Sequence, residues 1–126
     1  MTTTEDVARG FTALCKEGKF DEAGEKYWAD DVVSIEPMTG EMALLQGTAA
    51  VKAKGEWWAA NHEIHSTTTN GPYVNGEQFI VHFAMDVTPK AGGGRMSLDE
   101  VGLYTVQNGL IVEERFIMAL PPEAAA

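Results

Sequence analysis

Apolar positions recur at helical spacing through the first half of the chain and switch to strict alternation after His62. Val7, Phe11 and Leu14 predict a first helix, with Thr3 or Thr4 as its cap, Glu5 and Asp6 in its first turn and Gly18 as its stop. FDEAGEKYWADD predicts a short second helix with Asp21 as its cap and Tyr27 and Trp28 at its end. VVSIEP has the β-branched content of a strand, limited by Pro37. MTGE reads as a turn, and MALLQG as a short strand or a connection. Gly47-Thr48 opens a third helix with Val51 and Trp58 on one side; Trp57 lies about 100° away, so both rings are buried only at a broad interface. The segments HEIHSTTTNGPYV, EQFIVHFAMDVTP, RMSLDEVGLYTVQ and LIVEERFIM then predict four strands. Helices followed by an antiparallel meander define an α+β domain with helices on one sheet face. The expected domain is residues 1–120, with 121–126 as a tail.

Glu100 interrupts the apolar alternation of Leu98, Gly102, Tyr104 and Val106. A carboxylate on a buried strand face costs several kcal/mol unless it is paired, protonated or reached by water. The turn before Leu110 sets its neighbours. A two-residue Asn108-Gly109 loop pairs Val106 with Ile111 and sends Glu100 and Glu114 to opposite faces. A three-residue turn with a glycine bulge pairs Val106 with Leu110. The apolar pattern favours the second register, which sets Leu98, Tyr104 and Val106 beside Val112, Phe116 and Met118. Glu100 then faces Phe116, Glu114 faces Gly102, and the two carboxyls are diagonal neighbours on a face that also carries Phe83. Such a face lines a cavity; otherwise the acids are salt-bridged at a rim or belong to a dimer surface.

Nineteen acidic against nine basic residues give a net charge of −10, which argues against nucleic-acid and anionic-membrane partners. One cysteine, Cys15, allows no intrachain disulfide; with no signal-peptide pattern and no membrane-length apolar run, a cytoplasmic protein is expected. Cys15 lies beside Leu14 in a helix and reads as a buried, inert thiol. His62 and His65 point to opposite faces of a strand and do not converge on a metal with His82, so no metal or cofactor is expected. AGGGR lacks the ending and following helix of a phosphate loop and reads as a flexible hairpin loop.

ALCKEGKFDEAGEKYWADDVVSIEP, LQGTAAV opening the long helix, and VQNGLIVEERF as the closing hairpin occur in order and at the right separations. In these the chain resembles the SnoaL-like members of the nuclear-transport-factor-like superfamily, which also holds ketosteroid isomerases and limonene epoxide hydrolases. The resemblance implies a strongly bent antiparallel sheet wrapped by three N-terminal helices into a cone. It also implies an apolar pocket at the open end and homodimers built on the outer sheet face. Carried over by position, Glu36 in SIEP matches the proton-shuttling aspartate of ketosteroid isomerase-like sequences. Phe11 matches their hydrogen-bonding tyrosine and lacks its hydroxyl, which argues against steroid isomerisation itself. Asp99 or Glu100 matches their neutral carboxylic acid donor.

The expected catalytic groups are therefore Glu36 as base, Glu100 as neutral acid or second carboxyl and Glu114 as its partner. Phe11, Tyr27, Trp28, Trp58, Phe83, Tyr104 and Phe116 are the expected pocket walls for a small hydrophobic ligand. Proton transfer, isomerisation, cyclisation or hydrolysis is one class of function these residues fit. A non-catalytic binding module using the same pocket or the dimer face is the other.

Overall fold

A computed structural model describes residues 2–119, so the tail expected at 121–126 lies outside the described residues. The elements run α1 (Thr4–Lys16), α2 (Phe20–Tyr27), β1 (Trp28–Ile35), β2 (Leu44–Gln46), α3 (Thr48–Asn61), β3 (His62–Asn75), β4 (Gln78–Pro89), β5 (Met96–Gln107) and β6 (Leu110–Ile117). Thr3 caps α1 in a reciprocal capping box with Asp6, and Gly18 follows the helix at φ 76°, as a C-terminal glycine should. Asp21 does not cap α2: Lys19 occupies that position without a side-chain bond, and Asp21 sits in the first turn, where its charge favours the helix dipole. WADD belongs to β1 rather than to α2, because Trp28 turns to the extended conformation at ψ 137°.

The six strands form one sheet in the order β2-β1-β6-β5-β4-β3. β3 to β6 make the expected antiparallel meander, and β2 returns antiparallel on β1. β1 and β6 run parallel, so the sheet is mixed rather than wholly antiparallel. The helices cover one face. Between them and the sheet, Val7, Phe11, Val32, Phe79, Val81, Tyr104 and Ile111 form the core, with the Tyr104 ring 4.8 Å from Phe11 and stacked 4.9 Å from Phe79.

The last hairpin departs from the expected register in an instructive way. Gln107 pairs with Leu110 and Val106 with Ile111, so Asn108 (φ 53°) and Gly109 (φ 77°) form the two-residue loop. Alone, that loop would separate Glu100 and Glu114. A bulge on β6 restores the alternation: Thr105 pairs with Glu113, which leaves Val112 as the extra residue. Beyond it, Tyr104 faces Glu114 and Gly102 faces Phe116, two residues from the expected pairing. An even slip keeps every side chain on its face, so both glutamates stay on the inner side. Ile111, not Val112, is the buried residue.

On α3 only Val51 is fully buried, and Trp57 is 49 % exposed, so the two tryptophans do not share a broad interface. Trp58 instead stacks on His62 with ring centroids 4.1 Å apart. Gly55 lies inside this helix with open space around its Cα. Gly55→Ala is therefore expected to raise stability by about 0.5–1 kcal/mol. Gly109→Ala, strained at positive φ and crowded by Thr2 at 3.1 Å, should lower it by about 1–2 kcal/mol. Urea unfolding of the two variants tests the opposite signs.

Candidate functional site

β1 alternates, so Val32, Ser34 and Glu36 share its inner side. On α3, Val51, Lys54 and Trp58 fall at helical spacing on the stripe that faces the sheet. The parallel pairing sets Ser34 directly beside Glu114 of β6. These three facts build a continuous polar chain in an otherwise apolar interior. Lys54 Nζ donates to Glu36 Oε1 at 2.9 Å and to Ser34 Oγ at 2.5 Å. Ser34 Oγ donates to Glu114 Oε2 at 2.7 Å, and Trp28 Nε1 donates to Glu114 Oε1 at 3.0 Å. The side chains of Lys54 and Glu36 keep only 12 % and 16 % of their surface, so solvent screens this pair far less than a surface ion pair.

Glu100 stands across β5 from Phe83 of β4 and has no hydrogen-bond partner among the described residues. Its carboxyl is pushed up to about 7, chiefly by burial and next by the charge of Glu36; Lys54 opposes the shift and Glu114 adds to it. The Glu114 carboxyl is also pushed up by burial, although bonds from Ser34 and Trp28 and the charge of Lys54 pull the other way. Three carboxyls thus share one ammonium group. The site can hold a neutral carboxylic acid and an ion-paired carboxylate close together at neutral pH.

Of the expected residues, the structure brings Glu36, Glu114, Trp28 and Phe116 into one cluster, with Phe116 under Lys54 Nζ at 5.3 Å. Phe83 and Tyr104 adjoin it as the cross-strand neighbours of Glu100 and Glu114. Phe11 and Tyr27 meet edge to face 6.4 Å apart at the α1–α2 contact, and Phe11 packs on the Tyr104 ring at 4.8 Å on the side away from the polar chain. Ser34 and Lys54 are the two members of the cluster that sequence reasoning passed over. Both carry a readable signal: a serine in register with Glu36 on a strand, and a lysine on the buried stripe of a helix.

Of two surface clefts, of about 300 Å³ and 450 Å³, the first borders the cluster at Trp28 and the second lies away from it. The first is lined by Glu25, Trp28, Asp30, Thr48, Ala49 and Lys52, so Trp28 forms a wall between it and Glu114. The three histidines are apart: His62 stacks on Trp58, His65 bonds Thr88, and His82 bonds Asn70 and Asp99. Among the described residues no three His, Cys, Asp or Glu side chains are grouped to hold a metal ion. Cys15 is buried, and its thiol is pushed up to about 12 by burial and by the charge of Glu114. Among the described residues no helix is long and apolar enough to cross a membrane.

Three helices on a six-stranded mixed sheet, with a carboxyl cluster on the helix-covered side, define an α+β protein of the nuclear-transport-factor-like class. The SnoaL-like domain family matches residues 1–118, and the chain belongs to that family. A Mesorhizobium loti protein named as a SnoaL-like polyketide cyclase, with carbohydrate phosphatase in brackets after it, is 52 % identical, with a TM-score of 0.89 over 92 % of this chain and 99 % of that one. Two further structures share the fold at low identity. One is a Catenulispora acidiphila protein of ketosteroid isomerase-like fold, solved with trimethylamine (16 % identity, TM-score 0.71, 94 % and 88 % covered). The other is a Bacillus subtilis protein named as an isomerase (20 %, 0.67, 88 % and 82 %). None of the curated proteins compared with the chain matches it.

The raised carboxyls make stability depend on pH. Folded Glu100 keeps its proton to about 7, whereas the unfolded chain releases it near the ordinary glutamate value of 4.5. Between those values the folded state binds more protons, so stability falls as pH rises through this window. Glu114 contributes with the same sign. Glu100→Gln should therefore shrink the stability lost between about pH 5 and about pH 8 by about 1–3 kcal/mol. Urea unfolding of both proteins at the two pH values measures it, and an unchanged difference contradicts the assignment.

Proposed function

We propose that this SnoaL-like protein is a proton-transfer enzyme acting on a small, largely apolar compound, in an isomerisation or an intramolecular ring closure. One observation carries the reading: three carboxyls lie within electrostatic reach of a single ammonium group that ion-pairs with one of them. Glu36, ion-paired with Lys54 and partly exposed, is the base that removes a proton from carbon. Glu100, unpaired and held neutral up to about 7, is the acid that returns a proton to oxygen or carbon. Glu114, anchored by Ser34 and Trp28, is a positioning residue that raises Glu100 and ties β6 to β1. Phe83, Tyr104, Phe116 and Trp58 form the walls that favour an apolar substrate. The high identity to a protein named as a SnoaL-like polyketide cyclase supports ring closure as one reaction of this site. Glu36→Gln is expected to lower turnover by about 10²–10⁴-fold while leaving binding intact. A thermal-shift panel of hydrophobic phenols, steroids and polycyclic ketones finds the scaffold on which to measure it. Equal turnover in the variant would remove Glu36 from the mechanism.

We also propose a second copy of this chain as the partner for the outer sheet face. Cross-strand rows there present exposed Tyr73 and Ile80 beside half-buried Leu103, then half-buried Val101 beside exposed Ile117, with Tyr73 61 % and Ile117 54 % exposed. Sedimentation of the wild type should give a dimer, and Ile80→Lys a monomer with an unchanged far-UV spectrum. A monomeric wild type at all concentrations overturns the partner.

A further inference from the structure

Gly24 sits inside α2, where glycine weakens a helix relative to alanine, so a packing reason is needed for its place there. The reason is the ring of Trp28, four residues on. Trp28 ends the helix with its N–H bonded to the Gly24 carbonyl and turns the backbone into β1, while its side chain folds back over the last turn. A Cβ added at Gly24 would stand 2.6 Å from two carbons of the outer indole ring, Cη2 and Cζ3, and 2.7 Å from a third, Cζ2. Non-bonded carbons do not pack that closely, so the ring rests in the space that a side chain would take. Tyr27 is seated in the same manner over Gly10 of α1, where an added Cβ would overlap the phenol hydroxyl.

The seat fixes where the indole nitrogen points. With its outer ring against Gly24, Trp28 presents Nε1 to Glu114 Oε1 at 3.0 Å. Trp28 also borders the cleft of about 300 Å³, together with Glu25, Asp30, Thr48, Ala49 and Lys52. It is half-buried, whereas Glu114 behind it is 4 % exposed. One side chain thus separates an open, polar cleft from a buried carboxyl. The cleft is the space into which a ring pushed off Gly24 can swing. That movement withdraws the donor from Glu114 and lets water reach it.

We infer that Gly24 is a positioning residue of the carboxyl cluster: its notch seats Trp28 as a donor to Glu114 and as the plug between cluster and cleft. Glycine is the residue this seat admits, because even a methyl group takes the place of the ring. The bearing of the seat on catalysis rests on the reaction proposed at the cluster, where Glu114 acts through Glu100. Burial is the largest cause of the raised Glu114 carboxyl and outranks the bond from Trp28, which pulls the other way. Unseating the plug should therefore lower the Glu114 midpoint toward the ordinary glutamate value of 4.5.

A double-mutant cycle followed by urea unfolding tests the seat. Gly24→Ala should lower the unfolding midpoint of the wild type, because it displaces the ring. In a Trp28→Phe background, whose smaller ring ends short of the notch, the same substitution should raise the midpoint, as alanine does in an ordinary helix interior. Equal signs in the two backgrounds overturn the seat. Proton NMR then reads the bond: of the three tryptophan indole signals, that of Trp28 is assigned with Trp57→Phe and Trp58→Phe. In the wild type it should exchange slowly with water and follow the titration of Glu114; in Gly24→Ala it should do neither. A signal that behaves alike in both proteins overturns the positioning role. Carboxyl-carbon NMR gives a readout that packing alone would not move, and a Glu114 midpoint that stays or rises in Gly24→Ala overturns the plug. None of these measurements needs a substrate, so a protein that passes them and turns over no compound overturns the proposed reaction and leaves the seat standing.

Discussion

Glu114 is the side chain around which the rest is arranged. It is 4 % exposed, and a carboxyl taken so far from water needs donors on both oxygens. Ser34 and Trp28 supply one each, and both belong to β1. The parallel pairing of β1 with β6 is thus a requirement of the site as well as of the sheet. The bulge at Val112 is another, because without it the Asn108-Gly109 loop would turn Glu114 outward. Lys54 completes the chain by holding Ser34 from above, so its single ammonium group fixes α3 over the sheet as it neutralises Glu36.

That economy of positive charge gives the cluster its chemical character. With one lysine among Glu36, Glu100 and Glu114, full ionisation would leave uncompensated charge in a low-dielectric interior. The arrangement resolves the conflict by letting the unpaired member, Glu100, keep its proton. Groups of one chemical type are thereby split into a carboxylate and a carboxylic acid, which is what proton transfer to and from a neutral compound requires.

Most of the architecture was legible in the sequence. Caps, glycine stops and the change from helical to alternating periodicity gave all three helices and the four-stranded meander. The odd position of Glu100 led to the inner face. Features that depend on distant pairing were not legible. The strand WADDVVSI begins at Trp28 only because β6 lies beside it, and the parallel direction of that pair follows from the long excursion through α3 and the meander. The hairpin register was expected two residues away because the pattern of apolar side chains fixes a face but not a partner, and a bulge conceals the difference. Ser34 and Lys54 were visible as a serine and a lysine on inward stripes, yet their meaning came from each other: neither has a role until α3 crosses β1.

The division of charge among the three glutamates is the central claim, and carbon NMR of protein labelled at the glutamate side-chain carboxyls tests it directly. The account predicts that Glu100 titrates at about 7, and that Lys54→Met moves this midpoint upward because the lysine holds it down. Titration of Glu100 near the ordinary value of 4.5, unchanged in Lys54→Met, would contradict it: the carboxyls would then be independent surface acids, and no neutral donor would exist at working pH.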